Sequence, residues 1–194
     1  MCIDRDLIAK VAMYDYTDPA HQTALSGTFS KFRLPEASIV DNWVKYSPEE
    51  AKEKILSLGY KKNKNGYWLD KNNNEIFITI GIVSGWADWI RAGQIISRNL
   101  EDIGIKSRVK TQDFGAWFND LQTGKFNSAI SWAEGGASPY PMYEGLMGSK
   151  GIKPIGEVSG TNWHRFGLPE VDSLVAIFET TSDDEIKQNI LHRM

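Results

Sequence analysis

Between Glu75 and Gly136 the apolar positions change period several times. The run Ile76-Phe77-Ile78-Thr79-Ile80-Gly81-Ile82-Val83 is β-branched and almost continuous, the pattern of a strand covered on both faces. It ends at Ser84-Gly85. From Trp86 to Ile103 the apolar positions Trp89, Ile90, Gly93, Ile96, Leu100 and Ile103 recur at spacings of three and four, which predicts a helix that Gly104 terminates. Ile105 to Thr111 reads as a second strand. Asp113 is placed to cap a short helix carrying Trp117, Phe118 and Leu121, Gly124 closes it, and Phe126 to Trp132 alternates as a third strand. Crossovers this short join parallel neighbours with right-handed connections, so the expected fold class is α/β with a parallel βαβαβ core.

The flanking segments add helices. Ile3 to Met13 has helical periodicity, while Tyr16 to Val44 has no sustained period and reads as an irregular surface segment. Ser47-Pro48-Glu49-Glu50 predicts a helix start with Ser47 as cap, Pro48 in the first turn and Glu50 completing a capping box. That helix is expected to bury Ala51, Ile55 and Leu58 and to end at Gly59. Asn63 to Asn74 reads as turn, short strand, turn around Tyr67-Trp68-Leu69. Glycine-rich Ala133 to Gly160 reads as long loops with a short helix near Met142 to Leu146, and Pro169 to Phe178 and Asp183 to Met194 as two closing helices. For the last, Ser182 and Glu185 form a capping box in sequence.

A length of 194 residues fits one domain, or one compact lobe of a larger protein. The formal charge of −3 leaves no basic footprint for nucleic acid. No apolar run approaches the roughly 20 residues of a membrane span, and the first residues lack a charged-then-apolar signal pattern. Cys2 is the single cysteine, so an internal disulfide and a multi-cysteine metal site are excluded. Both ends read as cut through helical patterns, the expectation for an excised fragment.

Seven Trp and seven Tyr invite a ligand reading. Trp117 with Phe118 and Leu121, and Trp68, are most simply packing residues. Trp86, Trp89, Trp132, Tyr140, Tyr143 and Trp163 lie at strand ends or in the loops that should reach the same edge, where parallel sheets bind ligands. A flat aromatic face with a polar edge stacks on sugar rings or packs peptide side chains. Enzyme signatures are missing: there is no phosphate loop, dinucleotide fingerprint, nucleophile elbow or His-Glu-x-x-His. The three histidines, His21, His164 and His192, are scattered. Asp88 and Asp113 near strand ends are first explained as helix caps.

Several segments together resemble a known family. Ile3-Asp4-Arg5-Asp6-Leu7-Ile8, Ser47 through Tyr60, and Asn65-Gly66-Tyr67-Trp68-Leu69-Asp70 occur in the order seen in family 5 extracellular solute-binding proteins, the peptide, nickel and oligosaccharide receptors of ABC importers. Ser84 through Trp89, Leu100 through Ile105, Trp117 through Phe126, Ser138-Pro139-Tyr140-Pro141-Met142-Tyr143 and Asn162-Trp163-His164-Arg165-Phe166 extend the likeness over nearly the whole chain. Cys2 and Met142 depart from the residues usual at their positions.

The resemblance implies a periplasmic-binding-protein-like lobe over residues 1–194, the C-terminal lobe of a two-lobed receptor whose first lobe lies elsewhere. It also implies capture rather than catalysis and an ABC permease as partner; no cofactor is expected, and the sheet, crossovers and closing helices are expected to supply a core that folds alone as a monomer. The implied location is extracytoplasmic, in the periplasm or lipid-anchored to the outer face of the cytoplasmic membrane. Ligand contacts are expected from Trp86, Trp89, Asp113, Trp132, Gly135, Gly136, Tyr140, Tyr143 and Trp163, the two glycines allowing close backbone approach. The ligand is an oligopeptide or an oligosaccharide, with the Trp86-Ala87-Asp88-Trp89 cluster favouring sugar. Nickel and haem are disfavoured by the scarcity of histidine. A small α/β hydrolase or transferase using Asp88, Asp113 and His164, and a scaffold domain with exposed aromatics, stand as alternatives.

Overall fold

The computed structural model describes the chain except for residues 20, 26, 34–42, 134 and 137 and the side chain of Thr28. The irregular reading of Tyr16 to Val44 therefore lies partly outside the described residues, and Gly27–Phe32 within it forms a 3-10 helix. Two compact units divide the chain. The first comprises Met1–Gln22, Asp41–Trp117 and Phe126–Ile130; the second comprises Thr23–Val40, Phe118–Lys125 and Ser131–Met194.

The first unit is built on a three-stranded parallel sheet: β3 (Phe77–Val83) lies between β4 (Lys106–Gln112) and β5 (Ser128–Ala129). Ile80 faces Val109 on one side and Ser128 on the other. Its central place explains the unbroken apolar run, because β3 is buried from Ile80 to Val83. Helix α3 (Ala87–Asp102) covers it, and Ile80, Ile82 and Leu100 form the cluster against which Ile90, Ile96, Val109 and Cys2 pack. Gly93 lets α3 approach closely, since a Cβ there would stand 2.2 Å from Ile82 Cδ1. Gly104 follows α3 at φ +93°, the left-handed stop expected of it.

β5 is shorter than the alternation from Phe126 to Trp132 predicts. The side chain of Asn127 accepts from Thr79 N (3.1 Å) where a strand would offer backbone, and Ile130 N still donates to Gly81 O (3.1 Å) beyond the regular pairing. An edge strand tolerates this because, among the described residues, one flank has no partner strand to keep.

A short helix α1 (Arg5–Leu7) runs into a π-helical turn at Ile8–Ala12, and α2 (Pro48–Ser57) precedes a ribbon of β1 (Lys61–Lys62) and β2 (Trp68–Leu69). Two expectations for α2 fail. Ser47 makes no side-chain cap bond, and its N–H, which Glu50 would take in a capping box, donates instead to Met1 O at 2.8 Å. Leu58 is 75% exposed because the helix contributes little beyond Ala51 to the core.

The second unit packs α5 (Tyr140–Met147), α6 (Pro169–Thr180) and α7 (Asp184–Arg193) around Leu25, Met142, Tyr143 and Leu191. The cap of α7 is Asp183 rather than Ser182: its carboxylate accepts from Glu185 N and Ile186 N at 2.9 and 3.1 Å. α4 (Phe114–Thr123) begins in the first unit and continues in the second.

Candidate ligand-binding site

At the carboxyl end of β3 the chain turns at Gly85, with φ +84°, and delivers Trp86 to the N-terminal boundary of α3. At the end of β4, Asp113 starts α4 as predicted: its Oδ1 accepts from Ala116 N at 3.0 Å and its carbonyl from Trp117 N at 3.0 Å. Two adjacent parallel strands thus present an aromatic residue at the same end, Trp86 and Phe114. Their rings lie 6.1 Å apart with planes tilted by 34°. Trp89 stands edge-on to Trp86 at 4.6 Å, and Trp117 underlies the group at 6.4 Å from Trp86, 5.7 Å from Trp89 and 5.8 Å from Phe114.

Burial separates the roles of the four rings. Trp117 is 1% exposed and is the floor, while Trp86 and Phe114 remain 37% and 47% exposed. Trp89 is half-buried and reaches the Ile80, Ile82 and Leu100 cluster, so it both packs and borders the surface. Phe114 is the residue that the sequence reading missed. The signal was available: it directly follows Asp113 at the end of a strand, and the start of a helix after a strand is also where Trp86 lies.

The second unit holds its own ring group. Phe118 stacks on Trp132 at 6.0 Å and 27°, and Trp163 meets both edge-on, at 5.7 and 5.5 Å. Trp132 still exposes 41% of its surface. Trp163 is held by a tightly bonded loop. Buried Asn162, at φ +47°, donates to Gly148 O and Phe166 O and accepts from Phe166 N. Trp163 Nε1 donates to Ser159 O at 3.2 Å. Arg165, at φ +58°, donates to the carbonyls of Gln122, Lys153, Glu157 and Trp163. The Gln122 carbonyl belongs to the last turn of α4, where a cation is favoured by the helix dipole.

Other predicted site residues turn out to be engaged in packing. Tyr143 is 5% exposed in the core of the second unit, its hydroxyl donating to Thr23 O at 2.7 Å, and burial pushes its phenol up to about 12. Tyr140 stacks on Phe178 at 5.1 Å and donates to Glu179 Oε1 at 2.7 Å; burial, then Glu179, raises its pKa. At Gly136 the absent side chain makes room for Pro141, whose Cγ would lie 3.0 Å from a Cβ, whereas Gly135 faces open space.

The carboxylates and histidine of the hydrolase alternative are locally occupied. Asp88 Oδ1 accepts from Trp89 N, Asp113 caps α4, and His164 Nε2 bonds Leu146 O. Among the described residues no three His, Cys, Asp or Glu side chains are grouped to hold a metal ion, and no helix is long and apolar enough to cross a membrane. A pocket of about 210 Å³ in the first unit, between Leu58–Lys61 and Leu69–Asn73, and another of about 410 Å³ in the second, beside Pro141, Lys150 and Thr161, contain none of the exposed rings.

Residues 1–154 match the family described as bacterial extracellular solute-binding proteins, family 5, middle region. The chain belongs to this family. The oligopeptide-binding protein OppA of Mycobacterium bovis is 25% identical over 175 residues, 89% of this chain and 27% of that protein. A periplasmic oligopeptide-binding protein of Thermotoga maritima, solved with mannohexaose bound, superposes with a TM-score of 0.88 at 25% identity over 99% of this chain and 36% of its own. The oligopeptide-binding protein AppA of Bacillus subtilis, solved with a nonapeptide, gives 0.79 at 18% identity, covering 99% of this chain and 37% of its own, a likeness of fold. The chain therefore spans about a quarter of the curated relative and about a third of the solved ones.

Proposed function

We propose that residues 1–194 form a ligand-binding lobe of an ABC importer receptor. The receptor captures oligopeptides or oligosaccharides outside the cytoplasmic membrane and delivers them to the permease. The observation that carries this reading is the exposed Trp86 and Phe114 pair at the carboxyl ends of adjacent parallel strands, the edge at which open α/β sheets bind ligands. Family membership gives that surface its role, since the relatives include proteins solved with an oligosaccharide and with a peptide.

Capture follows from the geometry without any chemical step. Rings seated on a buried floor lose little freedom when ligand arrives, and a second lobe closing by hinge motion would cover the ligand's other side. Partly exposed rings are what one wall of such a cleft presents. The receptor acts as a monomer and is not an enzyme; the arrangement of Asp88, Asp113 and His164 lends the hydrolase alternative no support.

A thermal-shift screen of the full-length receptor against glycans and short peptides tests the reading. A ligand that binds only the native state stabilises it by about 2.7 kcal/mol at a hundredfold excess over Kd and so raises the melting temperature. Absence of a shift across both panels, or turnover of any ester, peptide or glycoside, would count against it.

A further inference from the structure

We infer that the ligand is a neutral oligosaccharide, and that Trp86 and Phe114 are its stacking platform in the first unit. This rests on the receptor reading above and decides its substrate class.

Trp86 and Phe114 are each more than a third exposed, yet both lean on Trp117, which is 1% exposed. Large exposed rings held on a buried base cost burial energy unless something covers them in use. Phe114 carries no hydrogen-bonding atom, so only a flat apolar surface or a cation complements its face.

The polar groups beside the rings narrow the choice. The turn from Ser84 to Trp89 contains Asp88, and that from Asp113 to Phe118 contains Asp113; neither holds a Lys, Arg or His. Arg91, one turn along α3, is directed elsewhere, its guanidinium 4.7 Å from the Tyr14 ring centre and donating to Ala12 O at 3.2 Å. Carboxylates accept from hydroxyls, and aromatic faces receive the apolar faces of pyranose rings; together these suit a chain of neutral sugars. A peptide brings a carboxylate that neither turn has a cation to pair, and an acidic glycan brings one for every charged unit, each costly to desolvate beside Asp88 and Asp113. The one peptide that would fit is a cationic one, drawn by the carboxylates and by cation–π contact.

Calorimetric titration of the full-length receptor separates these cases. The probes are a neutral β-1,4-linked hexasaccharide, a carboxylated glycan of equal length, a neutral pentapeptide and a lysine-containing pentapeptide. Saturable binding of the neutral hexasaccharide is expected, weakened about tenfold or more by Trp86→Ala and by Phe114→Ala and largely retained in Trp86→Phe, which keeps a ring. Near-ultraviolet circular dichroism checks that each variant is folded. Binding of either peptide in preference to the glycan overturns the sugar assignment while leaving the receptor reading standing. Glycan binding indifferent to both ring truncations overturns the platform. Failure of all four probes to bind overturns this inference and counts against the receptor reading too.

Discussion

Trp117→Ala and Trp86→Ala remove the same side chain from two places in one ring cluster, and their costs should diverge. Trp117 is 1% exposed, within contact range of Gly81 on β3 and of the rings of Trp86, Trp89 and Phe114. Losing a buried aromatic area of roughly 200 Å² at about 25 cal/mol per Å² gives about 5 kcal/mol, in line with the 3–5 kcal/mol of such truncations. Trp86 is 37% exposed, and water can refill its site, so about 1–2 kcal/mol is expected, chiefly from lost ring contacts. That is more than a fully exposed ring would cost, because Trp89 lies edge-on against it. Guanidinium unfolding of the full-length receptor, followed by circular dichroism, measures both. Ligand affinity should respond in the opposite sense: Trp86→Ala weakens binding by about 2 kcal/mol, the scale of an aromatic hot spot. Equal stability losses, with affinity unchanged in Trp86→Ala, would refute the division into floor and platform.

Three further outcomes check the surrounding framework. Gly93→Ala gains roughly 1 kcal/mol of helix propensity but forces Ile82 Cδ1 from its place, an overpacking cost of about 1–3 kcal/mol, so thermal melting should show a net loss. Tyr143 has a folded pKa raised above its unfolded value of 10.0, so the unfolded state deprotonates first and stability should fall between about pH 10 and 12; Tyr143→Phe should flatten that slope in denaturation curves taken across this window. Arg165→Met removes a guanidinium bonded to four backbone carbonyls and should loosen the Trp163 loop, lowering the near-ultraviolet dichroism of the Trp132 and Trp163 pair; an unchanged spectrum would show that the loop holds itself.

How far the sequence alone reaches can be traced residue by residue. β3, α3, the Gly104 stop and the Asp113 cap were legible because each is encoded locally, in a run of β-branched residues, a helical period, a left-handed glycine and a carboxylate before an apolar helix. Capping-box sequences proved less reliable than these local signals. Ser47 has the sequence of a capping box, but its backbone is held by Met1, and Asp183 takes the capping role from Ser182 because its carboxylate reaches two amides.

The site was half legible for the same reason. Strand ends are readable, so Trp86 and Trp132 could be located from chain position. What a tyrosine read as lying in a loop packs against is not, and Tyr143 proves to sit on α5 and to pack with Leu25 and Leu191 from distant segments. Phe118, taken for core packing, is the stacking partner of Trp132.

Amide hydrogen exchange on the full-length receptor, with and without a ligand identified by calorimetry, tests the central claim most directly. The account predicts that ligand slows exchange in the strand-end segments 84–89 and 113–117 of the first unit, while the β1–β2 ribbon from Lys61 to Leu69 is unaffected. Protection concentrated in that ribbon, with the strand ends unchanged while a ligand is demonstrably bound, would contradict it.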